Sequence, residues 1–300
     1  MNEPASHPLR GISLRVLSGL LFAGMAITVK LVSGAVPLGE IVFFRSVFAM
    51  IPLVIFLRLR GELPAGLRTT RPWGHMLRSG FGAAAMFTSF AAVARLPVAE
   101  ATLIGYLSPV LTAIFGVLLL GERATVFRAG GIALGLAGVA ALVGPQLGGG
   151  TLDLQHLVGL GLGVATAVLT SLALAMTRSL ARSGESPGAI AFYFALCSAL
   201  AGLATAVGGW TMPGGQALAL LVLAGLFGGF AHIALTLAFR YAEASRLAPF
   251  EYVALIWAVL ADMLIFGLPL APAFLVALPL LLGGAALAAL ERSPSRQVRA

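Results

Sequence analysis

The chain of 300 residues is 59% hydrophobic and 10% charged, where an ordinary soluble domain has about a quarter of its residues charged. That balance excludes a soluble fold for most of its length and makes lipid its solvent. A formal net charge of +8 would suggest nucleic acid in a soluble protein, but 18 of the 19 basic residues are Arg placed between apolar runs, the pattern that orients membrane proteins, so nucleic-acid binding is set aside.

Taken in order, Met1 to Gly11 carries Asn2, Glu3, His7 and Arg10. The apolar run that follows is too long for the core of a cleaved signal, so it is expected to remain as the first membrane helix. Ten apolar runs of about 20 residues, one bilayer crossing each, lie near 12–33, 39–59, 74–94, 98–120, 125–144, 156–180, 188–208, 217–240, 246–267 and 271–290. Short connections with turn formers separate them, at Gly34 to Pro37, Gly61 to Pro72, Gly148 to Gly150 and Pro213 to Gly215. No stretch is left over for a soluble domain. Cys197 stands alone in an apolar run, which argues against a disulfide or a metal-ligand cluster, and nothing in the chain asks for a cofactor. Pro109 in the fourth run and Pro279 in the tenth should kink their helices. With Gly80, Gly82 and Gly225 to Gly229 they are candidate bending points for a rocking motion.

Orientation follows from arginine. With the N-terminus in the cytoplasm, 16 of the 19 basic residues fall on the cytoplasmic side, Arg58, Arg60, Arg78, Arg123, Arg178, Arg240 and the tail arginines among them. The connections assigned outside at 34–38, 145–155, 209–216 and 268–270 have no Lys or Arg, and only Arg95 lies in an outer connection. An even number of spans places both termini inside.

Residues 94–123 begin with Arg95 and Glu100 about a proline and run without a further charge to Gly121-Glu122-Arg123. A variant of this unit returns 146 residues later from Arg240 to Gly267, setting Tyr106 on Tyr252, Ala99 on Ser245 and Gly121 on Gly267. The expected fold is therefore an all-α integral membrane protein of ten transmembrane helices in two five-helix repeats, residues 1–148 and 149–300. Five is odd, so the second copy must enter the membrane upside down. Inverted repeats give secondary transporters two states, because exchanging the conformations of the halves moves the opening from one side to the other.

Phe43-Phe44-Arg45 in the second run, Leu119-Leu120-Gly121-Glu122-Arg123 closing the fourth, and the glycine-rich fifth, Gly130 to Gly138, together resemble the drug/metabolite transporter superfamily in its ten-helix branch with two EamA-type repeats. The likeness covers almost the whole chain through order, spacing and duplication. The second copy departs from it: Leu268 stands where Glu122 would repeat, and Tyr193 about where Arg45 would. The resemblance implies an exporter or exchanger of small polar metabolites, amino acids and aromatic compounds prominent among them. It also implies helices 1–4 and 6–9 around a central cavity, with helices 5 and 10 outside it.

Several runs carry a polar or small-residue stripe at helical spacing. The eighth holds Gly225, Gly228, Gly229, His232, Thr236 and Phe239; the sixth Gly159, Gly163, Thr166, Thr170, Ala173 and Thr177; the fourth Thr102, Tyr106, Pro109 and Gly116; the ninth Glu251, Ala254, Leu255, Ala258 and Asp262. Small residues alone are explained by close helix packing. Ionisable ones on the same stripe point to a water-filled cavity, because a charge facing lipid costs several kcal/mol. The candidate cavity residues are thus Arg45, Tyr106, Thr170, His232, Thr236, Glu251, Tyr252 and Trp257, with His232, Glu251 and Asp262 as candidates for ion or proton coupling. Each has a plainer reading: His232 as a hydrogen-bonded packing residue, Asp262 in a salt bridge to Arg45 or Lys30, Arg45 paired with an acid rather than gripping a substrate carboxylate. Lys30 is expected to snorkel to the interface. Glu122 and Arg123 read as a pair at a helix end. With Arg45 and Lys30 as the main intramembrane cations, the pattern argues weakly against nucleotide-sugar or sugar-phosphate exchange.

Three classes remain. The leading reading is a secondary transporter exporting or exchanging small metabolites, amino acids including aromatic ones first, across the bacterial inner membrane by alternating access. The alternative is a uniporter or channel-like facilitator for other small metabolites or drugs. An integral-membrane enzyme finds no metal cluster or nucleophile pair to support it, and no Walker motif is present. The expected partners are a small-molecule substrate and the lipid bilayer, with monomer and homodimer both open.

Overall fold

The structure, a computed structural model, describes residues 8–120, 126–148, 153–241 and 247–289. Its helices are α1 (Pro8–Val32), α2 (Leu38–Leu59), α3 (Pro72–Val93), α4 (Val98–Gly105), α5 (Leu107–Leu120), α6 (Val126–Gly148), α7 (Leu154–Arg182), α8 (Pro187–Ala204), α9 (Gly215–Tyr241), α10 (Val253–Leu264) and α11 (Pro272–Ala289). No strand occurs among the described residues. Six helices, α1, α2, α3, α7, α8 and α9, are long and apolar enough to cross a membrane, and four shorter apolar stretches account for the remaining runs.

Local chemistry sets the ends. Proline opens α3 and α8, where a missing N–H costs nothing and φ is already helical. Asp153 caps α7 by accepting from the backbone of Gln155 and His156, and Ser186 caps α8 through the N–H of Ala189. After α10, the N–H of Leu268 turns back to the carbonyl of Asp262 at 2.8 Å. The turn needs Gly267, whose φ of +63° is a left-handed value that a side chain would resist.

The fourth and ninth runs are not continuous helices as expected. The fourth breaks at Tyr106, between α4 and α5. Pro109 lies three residues on, and its ring displaces the carbonyl of Gly105, four residues back. The ninth passes through a 3-10 turn at Ala248–Glu251, and its α-helix α10 starts after Tyr252. The two break residues meet: the rings of Tyr106 and Tyr252 cross edge-to-face with centroids 5.2 Å apart.

Packing places the first half against the second. α1 lies along α9 and α3 along α7; α2 lies between α8 and α9, and α3 also touches α8. α6 packs on α11. There a Cβ on Gly284 would stand 2.8 Å from both the Gly131 carbonyl and the Gly135 nitrogen, so the glycines of the fifth and tenth runs bring these two backbones together within the chain. A core of Leu103, Ile104, Leu107 and Val110 with Leu160, Ala167 and Leu281 fills one side of the bundle, and Val29, Ile41, Val42, Phe90 and Leu221 fill the other. Between α2, α3, α8 and α9 a chamber is left, mostly apolar in its walls but holding Arg45, Arg78 and His232.

Candidate functional site

The chamber has two connected parts. The deeper, of about 240 Å³, is lined by Arg45 and Ala49 of α2, Arg78 of α3, Thr177 of α7, Phe194 of α8 and His232 and Thr236 of α9. The shallower, of about 490 Å³, shares Leu53, Pro187, Ala191, His232 and Thr236 with it and reaches Arg60 and Glu62 beyond the end of α2. Sequence pattern explains the convergence. On α3, His75, Arg78, Ser79, Gly82 and Met86 fall on one face at 100° per residue. On α9, Gly225 and Gly229 close onto α2, where a Cβ at Gly229 would meet the Ala49 carbonyl at 2.8 Å. That contact turns His232 and Thr236 toward the space that remains.

Arg45 is 3% exposed. Its Nε lies 3.4 Å from Met25 Sδ and its Nη1 3.8 Å from Met86 Sδ, and no carboxylate among the described residues pairs with it. The expected acidic partner is therefore absent there. Arg78 donates from Nε to Thr177 Oγ1 at 3.2 Å and stacks its guanidinium 4.4 Å from the Phe194 ring centroid, while its Nη1 is buried without a partner. The imidazole of His232 stands edge-on to Phe22 at 5.1 Å and to Phe194 at 6.4 Å. Neither of its ring nitrogens has a hydrogen-bond partner among the described residues, unlike a packing histidine.

At the end of the bundle opposite Arg60, several contacts cross between the halves. Asp262 of α10 is 2% exposed and accepts from the backbone N–H of Val98 at 2.9 Å and of Ala99 at 2.7 Å, capping α4 across the interface. It bridges to neither Arg45 nor Lys30. Lys30 does not snorkel either: its ammonium turns inward to the carbonyl of Val93, the last residue of α3, at 3.2 Å, and to that of Leu96 in the connection after it, and lies 5.4 Å from the Phe266 ring. Glu100 pairs with His156 at 3.0 Å rather than with Arg95.

At the arginine-rich end a second polar set ties the connection before α3 to the one before α8. Glu185 accepts from the N–H and hydroxyl of Thr70, both at 2.9 Å, and meets His75 Nε2 at 2.9 Å; the His75 ring lies 4.9 Å from that of Tyr193. The His75 hydrogen bond, more than the threonine donors, holds the Glu185 carboxyl down to about 2.

Of the residues expected at the cavity, Arg45, His232 and Thr236 line it and the others do not. Tyr106 donates to the backbone carbonyl of Glu251 at 3.1 Å, and Glu251 pairs with Arg15 at 3.4 Å. With Tyr252 they form a separate polar contact beside the larger core. Thr170 and Trp257 line neither part of the chamber, and the Trp257 indole N–H is buried without a partner. Glu122 and Arg123 lie outside the described residues.

The model of the EamA-like transporter family matches residues 9–144. A riboflavin transporter from Rhizobium johnstonii is 30% identical over 271 residues, spanning 88% of this chain and 85% of that protein. The chain belongs to the EamA-like transporter family. Among other relatives of this EamA-like transporter, the S-adenosylmethionine uptake transporter of Rickettsia prowazekii is 26% identical over 89% of this chain and 87% of its own. The pseudopaline exporter CntI of Pseudomonas aeruginosa is 38% identical over 115 residues, 38% of this chain and 39% of its own. A solved crystal structure aligns with a TM-score of 0.64 at 26% identity, covering 93% of this chain and 96% of its own. The protein is a multi-pass membrane transporter of this family, and its relatives carry chemically varied substrates.

Two lining residues of this EamA-like transporter are not marked by the sequence pattern, Arg78 and Phe194, while Thr177 lies on the polar stripe of the sixth run. Arg78 was counted with the cytoplasmic arginines because it lies only six residues into α3. The signal that reveals it is the shared face with Ser79, Gly82 and Met86. The disfavouring of phosphorylated substrates rested on too few intramembrane cations, and Arg78 removes that ground.

Proposed function

We propose that the protein is a secondary transporter that exports or exchanges small polar metabolites across the bacterial inner membrane by alternating access, with both termini cytoplasmic. The observation that carries this reading is a mostly apolar chamber with buried Arg45, Arg78 and His232 that reaches Arg60 and Glu62 at the arginine-rich helix ends, while Asp262, Lys30 and the Glu100–His156 pair tie the halves together at the other end. A blind chamber with a closed far gate is what a carrier needs between its two states; a channel needs a continuous path. By the positive-inside rule the open end faces the cytoplasm. Pairings of α1 with α9 and of α3 with α7 are the contacts that exchange under a two-fold relating the halves, and the crossing of Tyr106 with Tyr252 lies on the same relation. They support the two inverted repeats, residues 1–148 and 149–300.

The relatives' names span riboflavin, S-adenosylmethionine and pseudopaline, so membership in the family leaves the substrate open. Amino acids are the first class to test, because Arg45 offers a carboxylate a two-pronged grip. Liposomes holding the purified protein and loaded with unlabelled threonine, methionine or phenylalanine should accumulate the labelled compound by counterflow, saturably. Linear flux without counterflow would favour a channel-like facilitator instead.

A further inference from the structure

We infer that the deep part of the chamber is an anion site, selecting small ring-bearing organic acids of net negative charge over zwitterions and cations; this rests on the carrier reading above. Two guanidinium groups enter one chamber within the membrane, and neither pairs with an acid among the described residues. Arg45 faces thioether sulfurs, and Arg78 has a hydroxyl, an aromatic face and one buried, unpartnered nitrogen. Among the described residues, acids are engaged elsewhere: Asp262 on the α4 backbone, Glu100 on His156, Glu185 on His75, Glu251 on Arg15 and Glu62 on Arg60. Glu40 lies five residues before Arg45 on α2, about 140° around the helix, and pairs with no cation among the described residues.

Such charges are retained in a membrane protein when something that enters repays them. The forks are also held in place. A Cβ at Gly228 would stand 2.8 Å from Arg45 Nη2, and one at Gly82 3.1 Å from Arg78 Nη1, so a glycine on a facing or neighbouring turn leaves room for each. Phe194, stacked on Arg78 and 6.4 Å from His232, supplies an apolar wall for a planar ring beside the acid group. A planar guanidinium matches carboxylate and phosphate alike with two parallel hydrogen bonds. A substrate ammonium would meet two cations and, among the described residues, no carboxylate in the deep chamber.

A series with one ring and stepped charge tests this: phenethylamine, phenylalanine, 3-phenylpropionate, phenylsuccinate and phenyl phosphate, each titrated onto purified protein with intrinsic tryptophan fluorescence and melting temperature as readouts. The anions should bind at least about tenfold tighter than phenylalanine. Phenylsuccinate against phenyl phosphate separates the carboxylate and phosphate forms of the same site. Arg45→Gln and Arg78→Gln should each remove about tenfold or more for the anions and little for phenylalanine, with Arg→Lys at either position intermediate. Phenylalanine or phenethylamine binding as well as the anions, or no member binding at all, overturns the inference without reference to any variant. Counterflow with the same compounds keeps the two proposals apart. Anion binding without counterflow sinks the carrier and leaves the site; counterflow of phenylalanine alone sinks the site and leaves the carrier.

Discussion

Replacing Asp262 by Asn should loosen the closed end of the bundle by a calculable amount. Both carboxylate oxygens accept backbone N–H groups at the first turn of α4, from Val98 at 2.9 Å and Ala99 at 2.7 Å, in a site 2% exposed. A hydrogen bond to a charged group contributes about 1.5–3 kcal/mol, and a negative charge at a partly buried helix N-terminus up to about 2 kcal/mol. Asparagine keeps one acceptor oxygen and the shape but loses the charge and the second bond. The net loss is about 1–2 kcal/mol, because the orphaned N–H can find water once the end opens. At 1.4 kcal/mol per factor of ten, the ratio of open to closed at this end rises by roughly 5- to 30-fold. The readout is the labelling rate, in detergent, of a single cysteine replacing Leu96, 0% exposed beside the gate, in a protein whose Cys197 has been changed to Ala. Labelling by a polar maleimide should accelerate by that factor when Asp262→Asn is added. An unchanged rate in folded protein would refute the role of this cap as the bond that holds the end shut.

Three other changes probe the rest of the structure. Gly228→Ala places a methyl against Arg45 Nη2 and Met25 Sδ, and should lower uptake of the transported substrate about tenfold while melting shifts little; full uptake would mean that Arg45 has room to move aside. Glu185 has its carboxyl held near 2 against an ordinary value of 4.5, so its contribution to stability is present above about 4.5 and is lost as pH falls toward 2. The melting temperature of Glu185→Gln should accordingly be lower at neutral pH and depend less on pH between 4.5 and 2 than that of the unaltered protein; parallel curves would contradict this. Tyr106→Phe removes the bond to the Glu251 carbonyl but leaves the ring on Tyr252. It should cost about 1 kcal/mol of stability by denaturant unfolding and leave substrate affinity unchanged, in keeping with its place outside the chamber.

Much of the architecture was legible because lipid imposes simple rules. Run length predicted the helical passes, and prolines and glycines marked most of their ends. What run length could not give was continuity. The fourth run carries no charge after Glu100, yet it breaks at Tyr106 because a proline acts on the carbonyl four residues back. The site was legible where a polar residue stood at mid-span, as His232 and Arg45 do. It was missed where the side chain reaches far from its own turn: Arg78 starts near the end of α3 and carries its charge inward, which position along a span does not register. Asp262 stood out as a coupling candidate or a salt-bridge partner, and Lys30 as a side chain that would snorkel. Both instead satisfy backbone groups at helix ends, a role that depends on how α4 and α3 terminate against the other half and that no spacing within their own helices encodes. Tyr252 and Glu251 lay on a stripe that proved to serve contact between the halves.

The central claim is that opening at one end is tied to closure at the other. Spin labels on Leu59 and Phe239, exposed at the arginine-rich end, and in a second sample on Arg95 and Leu264, exposed at the closed end, report the two openings by electron–electron distance measurement. Titrating whichever compound proves to be carried by counterflow, the account predicts that the first distance shortens as the second lengthens, in the same proportion of molecules. Distances that change independently, or a closed end that opens while the chamber mouth stays wide, would contradict it.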